Sequence, residues 1–119
     1  MGTNREKYII IFALESAQDG LFLARIFGES LTRKYGGCTI TNANGYWAKD
    51  GEQDKENYGE LMIETAYKIE VVTMTDKEHE IKKLFKDASI EALKRFNVIT
   101  ENQWIHFEHT KVYCEHFQI

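Results

Sequence analysis

Residues 61–73 have the sequence LMIETAYKIEVVT, and this stretch decides the fold. Most side chains of one parity are apolar, β-branched or aromatic, whereas the other parity, from Glu60 to Glu70, is mostly polar. The apolar parity contains Leu61, Ile63, Thr65, Tyr67, Ile69 and Val71. Because successive side chains of a strand point to opposite faces, a period of two is typical of a sheet. The pattern therefore predicts a long strand with one buried face and one face largely in water.

Three other segments are predicted to be strands. Residues 7–14, KYIIIFAL, form a continuous apolar run that is typical of a central strand. Residues 38–48, CTITNANGYWA, are strand-like and should pair antiparallel with 61–73; Gly45 would mark a bulge or a close backbone approach. Residues 102–118 are rich in aromatic and β-branched side chains and predict one long or two short strands.

The first of two amphipathic helices is predicted at about residues 17–35. Ser16 is a suitable N-cap, and Asp19 stands at the spacing of a capping box. An apolar stripe at spacings of three and four follows. The pair Gly36-Gly37 should end the helix, because glycine adopts the left-handed conformation that suits the position after a helix.

The second helix is predicted to follow the tetrapeptide at 75–78. Thr75 would cap this helix, and Glu78 would reach back to the Thr75 amide. An apolar stripe runs from Ile81 to Phe96, and Asn97 is a plausible C-terminal cap.

The predicted order is strand, helix, strand, strand, helix, strand. A duplicated split βαβ unit of this kind forms a four-stranded antiparallel sheet with both helices on one face. Two right-handed crossovers would place the first and third strands at the centre. We therefore expect residues 1–119 to form a single α+β domain, a ferredoxin-like βαββαβ sandwich, with one sheet face free of helices.

Composition and charge exclude several classes of protein. With 43% hydrophobic and 29% charged residues among 119, the chain is not expected to be disordered. Its longest apolar run, 8–14, is far shorter than the roughly 18 residues that span a bilayer. The net charge of −4 and the absence of an RNP-type run argue against nucleic-acid binding. The polar start of the chain predicts no secretion signal, so we expect a cytoplasmic location without membrane contact.

Aromatic residues outside the helices suggest a binding surface. A second copy packed sheet to sheet would cover such a surface, so we expect a homodimer. The candidate ligand or partner-binding residues are Tyr46, Trp47, Tyr58, Trp104, His106 and Glu108.

The patterns that would indicate a metal or catalytic site are incomplete. The acidic stretch 50–56 lacks the glycine and the final glutamate of an EF-type calcium loop. His106, Glu108, Cys114 and His116 share one parity, but residues 108 and 114 would lie about 20 Å apart along a strand. Cys38 and Cys114 form no disulfide pattern, and no catalytic triad has recognisable spacing. We expect no metal, cofactor or catalytic residue.

One segment resembles a known group of proteins. Gly36-Gly37-x-Thr39, followed by Asn44-Gly45-Tyr46-Trp47 and Asp50-Gly51, resembles small ferredoxin-like domains of unknown function in bacteria and phages. Glu52 or Glu56 would supply the acid of the G-x-W…DG…E hairpin, and the resemblance covers about residues 20–72. It implies this fold and dimerisation, and it implies no reaction.

The function that these features favour is a non-enzymatic binding or interaction module. Such a homodimeric accessory or mobile-element protein, of phage type, would bind a protein or small ligand through its sheet face or hairpin. The alternative is a small enzyme of the dimeric α/β-barrel type, with a pocket between sheet and helices that uses Tyr46, Trp47, His106 and Glu108. A closed pocket lined by His106 and Glu108 would favour the enzyme, and a flat face would not.

Overall fold

The alternating stretch at 61–73 forms the longest strand of the sheet. A computed structural model describes residues 2–14, 16–48, 53–96 and 105–119, with Phe96 described by its backbone alone. Its elements are β1 (Thr3–Ala13), α1 (Ala17–Tyr35), β2 (Thr39–Ala48), β3 (Leu61–Thr73), α2 (Glu78–Phe96) and β4 (His106–Cys114). The predicted ferredoxin-like βαββαβ order is confirmed.

The four strands form one antiparallel sheet in the order β2-β3-β1-β4. The predicted central position of the first and third strands is therefore confirmed. β1 is the strand between β3 and β4, and it pairs Ile10 with Ile69 on one side and with Phe107 on the other.

The two parities of β1 and of the second half of β3 meet different surroundings, whereas Leu61 and Ile63, predicted on the buried face of β3, are 71% and 67% exposed. Tyr8, Ile10 and Phe12 of β1 point to the helices and are no more than 1% exposed. They form the core with side chains of α1 and α2, among them Phe27 and Ile81. We call the helix-free face of the sheet the open face. On β1, β3 and β4 its central residues are Lys7, Ile9, Ile11, Ala13, Ala66, Lys68, Glu70, Val72, His106, Glu108, Thr110 and Val112.

The ends of α1 follow the prediction. The Ser16 hydroxyl accepts a hydrogen bond of 3.4 Å from the Asp19 amide. At the other end Gly36 has φ of 91°, and its amide donates to the Thr32 carbonyl at 2.9 Å. Because an L side chain is strained at this φ, glycine is required here.

The start of α2 differs from the prediction. Asp76 rather than Thr75 caps the helix, since its carboxylate accepts from the Glu78 amide at 3.0 Å. The Thr75 carbonyl accepts instead from the Thr73 hydroxyl at 2.7 Å. The Glu78 side chain is thereby free to contact Lys82 and His109.

Other boundaries were predicted approximately. β1 begins at Thr3, earlier than expected, and within the described residues 105–118 the C-terminal segment forms a single strand. The pairing of β2 with β3 runs through Gly45 without a bulge. A Cβ at this position would come within 2.5 Å of Trp47 Nε1, so the close approach to Gly45 is made by the Trp47 side chain and not by backbone. Asp50, Gly51 and Asn97 lie outside the described residues.

The helices lie at different distances from the sheet. α1 packs closely on β3, whereas α2 makes its close backbone contacts with α1. A space consequently remains between α2 and the part of the sheet formed by β1 and β4. Within the described residues, neither helix is long and apolar enough to span a bilayer.

Candidate functional site

The predicted binding residues of the hairpin are dispersed. Trp47 lies on the open face and is 36% exposed, whereas its neighbour Tyr46 points to the helix side of β2 and is 66% exposed. Tyr58 precedes β3, and its hydroxyl accepts from the Lys55 amide at 3.4 Å. Trp104 lies outside the described residues. Tyr46 and Trp47 therefore lie on opposite faces of the sheet.

His106 and Glu108 form a pair of their own on the open face of β4. His106 Nε2 and Glu108 Oε2 are 2.9 Å apart, and both side chains are about half exposed. Trp47 is on the opposite edge strand, about 14 Å across the sheet and about 20 Å along it from His106. Within one chain the predicted site residues therefore form separate small surfaces.

The space beneath α2 is a cavity of about 520 Å³. Its floor is formed by β1 and α1 side chains that are almost fully buried, including Ile10 and Leu23. The remaining lining residues are Leu14, Ile81, Lys82, Phe85, Lys86, Ser89, Ile90, Ile105 and Phe107. The cavity thus combines an apolar interior with a few polar groups.

Two lysines of α2 line this cavity. Lys82 Nζ lies 3.4 Å from Glu78 and 4.7 Å from the centre of the Phe107 ring. Lys86 is exposed, and among the described residues it has no carboxylate within ion-pair distance. In the part of the chain that the structure describes, Lys86 therefore adds a positive charge without an acidic partner beside the apolar interior.

A second polar cluster lies at the start of α2 and was not predicted. His109 of β4 faces two carboxylates: its Nδ1 is 3.1 Å from Glu78, and its Nε2 is 3.6 Å from Glu6. Glu6, Asp76 and His109 each offer a possible metal-ligating atom, and these atoms lie within 4.8 Å of one another. The Tyr8 ring stacks on His109 with its centre 4.4 Å away.

The sequence contains a partial indication of this cluster. His109 was correctly expected on the parity opposite to His106, which is the helix side of β4. Glu6 has the same parity as Tyr8, so its carboxylate would also be expected on the helix side. Asp76 could not be placed, because its proximity depends on how the β3–α2 connection folds.

Hydrogen bonds hold the acidic groups of this cluster in their charged form. The Glu78 amide lowers the pKa of the Asp76 carboxyl below its usual value. The hydrogen bond with His109 is the main reason that the pKa of Glu78 is lowered. Both carboxylates are therefore ionised at neutral pH.

The fold and these surfaces define an α+β ferredoxin-like domain with an apolar cavity and a separate histidine–carboxylate cluster. No protein-family model and no curated protein matches the chain.

Several solved structures are similar in overall shape. A PII-like signalling protein of Thermus thermophilus has 14% identity and a TM-score of 0.49, with 95% of this chain and 91% of that chain covered. CPII of Thiomonas intermedia K12, a nitrogen regulatory PII-like protein bound to ADP, AMP and bicarbonate, has 12% identity, a TM-score of 0.45 and coverage of 99% and 100%. A phage SAM lyase in complex with S-methyl-5′-thioadenosine has 10% identity, a TM-score of 0.45 and coverage of 96% and 93%.

Proposed function

We propose that this protein is a non-enzymatic, homodimeric binding module. Its ligand is a small apolar molecule with one anionic group, bound in the cavity between α2 and the sheet. The observation that carries the proposal is the apolar cavity of about 520 Å³ with Lys86 beside it. This volume is within the range of about 300–1,000 Å³ that is common for small-molecule sites.

The chemistry of the cavity favours an amphipathic anion. Burying an alkyl chain against Ile10, Leu23 and Phe107 contributes about 0.8 kcal/mol for each methylene group. A carboxylate on that chain would remain at the solvent side, where Lys86 is free to pair with it. A ligand with several polar groups would leave them without partners in the interior.

The open face supports the proposed dimer. Ile9, Ile11, Val72 and Val112 are half-buried there and have no helix over them. Lysines and acids alternate around these aliphatic side chains, so a two-fold axis could oppose charges of different sign. A sheet of four strands about 4.8 Å apart and about 30 Å long would bury about 600 Å² on each copy. That area is at the lower end of stable interfaces.

The arrangement of polar groups favours binding over a reaction. His106 and Glu108 lie on the open face, and the cavity is on the helix side of the sheet. The polar side chains that line the cavity are Lys82, Lys86 and Ser89, and the Ser89 hydroxyl donates to the Phe85 carbonyl at 3.0 Å. The proposal includes an accessory, phage-type role, which rests on the resemblance of residues 20–72 to small bacterial and phage domains.

Decanoate and 1-decanol test the cavity, because they share the alkyl chain and differ in charge. We expect decanoate, kept below its critical micelle concentration, to shift the NMR signals of Ile10 and Phe107 and to give saturable binding in calorimetry. Lys86→Gln should weaken decanoate binding about fivefold, which corresponds to the loss of an exposed ion pair of about 1 kcal/mol. The same substitution should leave 1-decanol binding unchanged.

Lys83→Gln is the matched control, since Lys83 lies on the same helix outside the cavity and pairs with Asp87 at 3.0 Å. Ser89→Phe should block both probes by occupying the cavity. Failure of both probes to bind the wild-type protein, or equal effects of Lys83→Gln and Lys86→Gln, would contradict the proposed ligand class.

A further inference from the structure

His109 is placed between two carboxylates, although a neutral imidazole has one N–H to donate. Its Nδ1 is within hydrogen-bond distance of Glu78, at 3.1 Å. When the proton is on Nδ1, the lone pair of Nε2 faces the Glu6 carboxylate, 3.6 Å away. That distance is too long for a good N–H···O bond. In that tautomer, two electron-pair donors face each other across a gap.

The spacing of that gap is suited to two ligands of one metal ion. Bonds of about 2.1 Å to a tetrahedral zinc ion set the ligand atoms about 3.4 Å apart. The 3.6 Å between His109 Nε2 and Glu6 Oε1 is close to this value. Asp76 provides a third atom within 4.8 Å, and its exposed side chain would need to move about 1 Å.

The surroundings of the cluster hold its groups in place. Glu6 and His109 have side-chain exposures of only 13% and 21%, so their rotamers are restricted. Asp76 accepts from the Glu78 amide at 3.0 Å and from the Tyr8 hydroxyl at 3.3 Å, both through Oδ1, so this oxygen is held while Oδ2 can turn toward the ion. The three groups come from β1, the β3–α2 connection and β4, and they converge because β1 and β4 are paired.

We propose that Glu6, Asp76 and His109 bind a divalent transition-metal ion of the zinc class. Nε2 of His109 and one oxygen from each carboxylate are the protein ligands, and water completes the tetrahedron. Glu78 is a positioning residue: it accepts the Nδ1–H and thereby directs Nε2 toward the ion, as carboxylates commonly do for metal-bound histidine.

The charge balance and ligand chemistry agree with this class of ion. Three carboxylates converge here, and the nearby cations are Lys82, 3.4 Å from Glu78, and Lys111, which lies opposite Glu6 in the β1–β4 register. If His109 is neutral, the three carboxylates and two lysines together have a net charge of about −1, and a bound divalent cation would make it about +1. An imidazole ligand favours zinc over Mg²⁺ or Ca²⁺, which prefer oxygen ligands alone.

Calorimetric titration with ZnCl₂ after removal of metal by EDTA and dialysis tests the site. We expect one zinc ion per chain and at least a tenfold loss of affinity in His109→Gln. His106→Gln is the matched control, because among the described residues His106 contacts one carboxylate, that of Glu108 at 2.9 Å. The site would be refuted if His106→Gln lost as much zinc affinity as His109→Gln, or if the His109→Gln variant bound zinc as tightly as the wild-type protein.

Two more variants separate coordination from folding. Glu6→Gln preserves side-chain shape and should also weaken zinc binding at least tenfold, with an unchanged circular dichroism spectrum. Glu78→Gln should reduce affinity about 10–100-fold and should change the tautomer populations in ¹⁵N spectra of the His109 ring. If Glu6→Gln and Glu78→Gln both bind zinc as wild type does, the proposed coordination is wrong.

Discussion

The backbone amide of Lys77 donates a hydrogen bond of 2.6 Å to the hydroxyl of Tyr8. This bond joins the middle of β1 to the start of α2, which lies 69 positions later in the sequence. Tyr8 is fully buried, and burial raises the pKa of its hydroxyl. The phenol therefore remains protonated and also contacts Asp76 at 3.3 Å.

We expect Tyr8→Phe to lower the free energy of unfolding by about 1–3 kcal/mol, because the Lys77 amide loses its partner in a part-buried position. Urea denaturation followed by circular dichroism measures the change. Tyr46→Phe is the control: its side chain is 66% exposed, and its effect should be below about 0.5 kcal/mol. Equal effects of the two substitutions would show that the Tyr8 hydroxyl does not support α2.

The two adjacent glycines after α1 are expected to respond differently to alanine. A Cβ at either position meets no atom within 4 Å, but only Gly36 has a left-handed φ, of 91°. Gly36→Ala should destabilise the protein by about 1–2 kcal/mol, whereas Gly37→Ala should be neutral or stabilising by up to about 1 kcal/mol. Thermal unfolding of the two variants provides the comparison, and a larger cost at Gly37 would contradict this account of the helix end.

Acid stability should depend on Glu80, which joins the two helices. Its pKa is lowered from the usual 4.5, chiefly by the neighbouring Tyr35 hydroxyl and also by Lys34 Nζ at 3.3 Å. A carboxyl with a lowered pKa contributes stability above its unfolded value, and this contribution is lost as the pH falls through the folded value.

Glu80→Gln should therefore flatten the decline in unfolding free energy below about pH 4.5. Urea denaturation at pH values from about 6 to 3 tests this. The control is Glu29→Gln, which removes an exposed ion pair with Arg33 within α1 and should leave the slope nearly unchanged. A slope in Glu80→Gln as steep as in wild type would contradict the assignment.

Self-association should depend on the open face. Ile11→Lys places a charge at the centre of the proposed dimer contact and should shift the mass measured by light scattering or native mass spectrometry from dimer to monomer. Ile90→Lys introduces the same change on α2, where the side chain is 54% exposed, and should leave the dimer intact. A wild-type protein that is monomeric at micromolar concentration would refute the dimer.

The order of helices and strands was predictable because it depends on residue patterns that extend over only a few positions of the sequence. Alternation in 61–73 predicted β3, and the same parity argument correctly placed His106 and Glu108 together on one face. It also separated His109 from them. Parity gives no distance between strands that are distant in sequence, so Trp47 was grouped with His106 although two strands lie between their strands.

The amino-acid sequence by itself determined the order of elements, the buried parity in the second half of β3 and the glycine that ends α1, because these depend on neighbouring side chains and backbone sterics. Only the tertiary structure decided that Asp76 would lie beside Glu6 and His109, and that a cavity would remain beneath α2. Those features depend on the register of β1 with β4 and on the distance of α2 from the sheet, which many weak packing contacts set together.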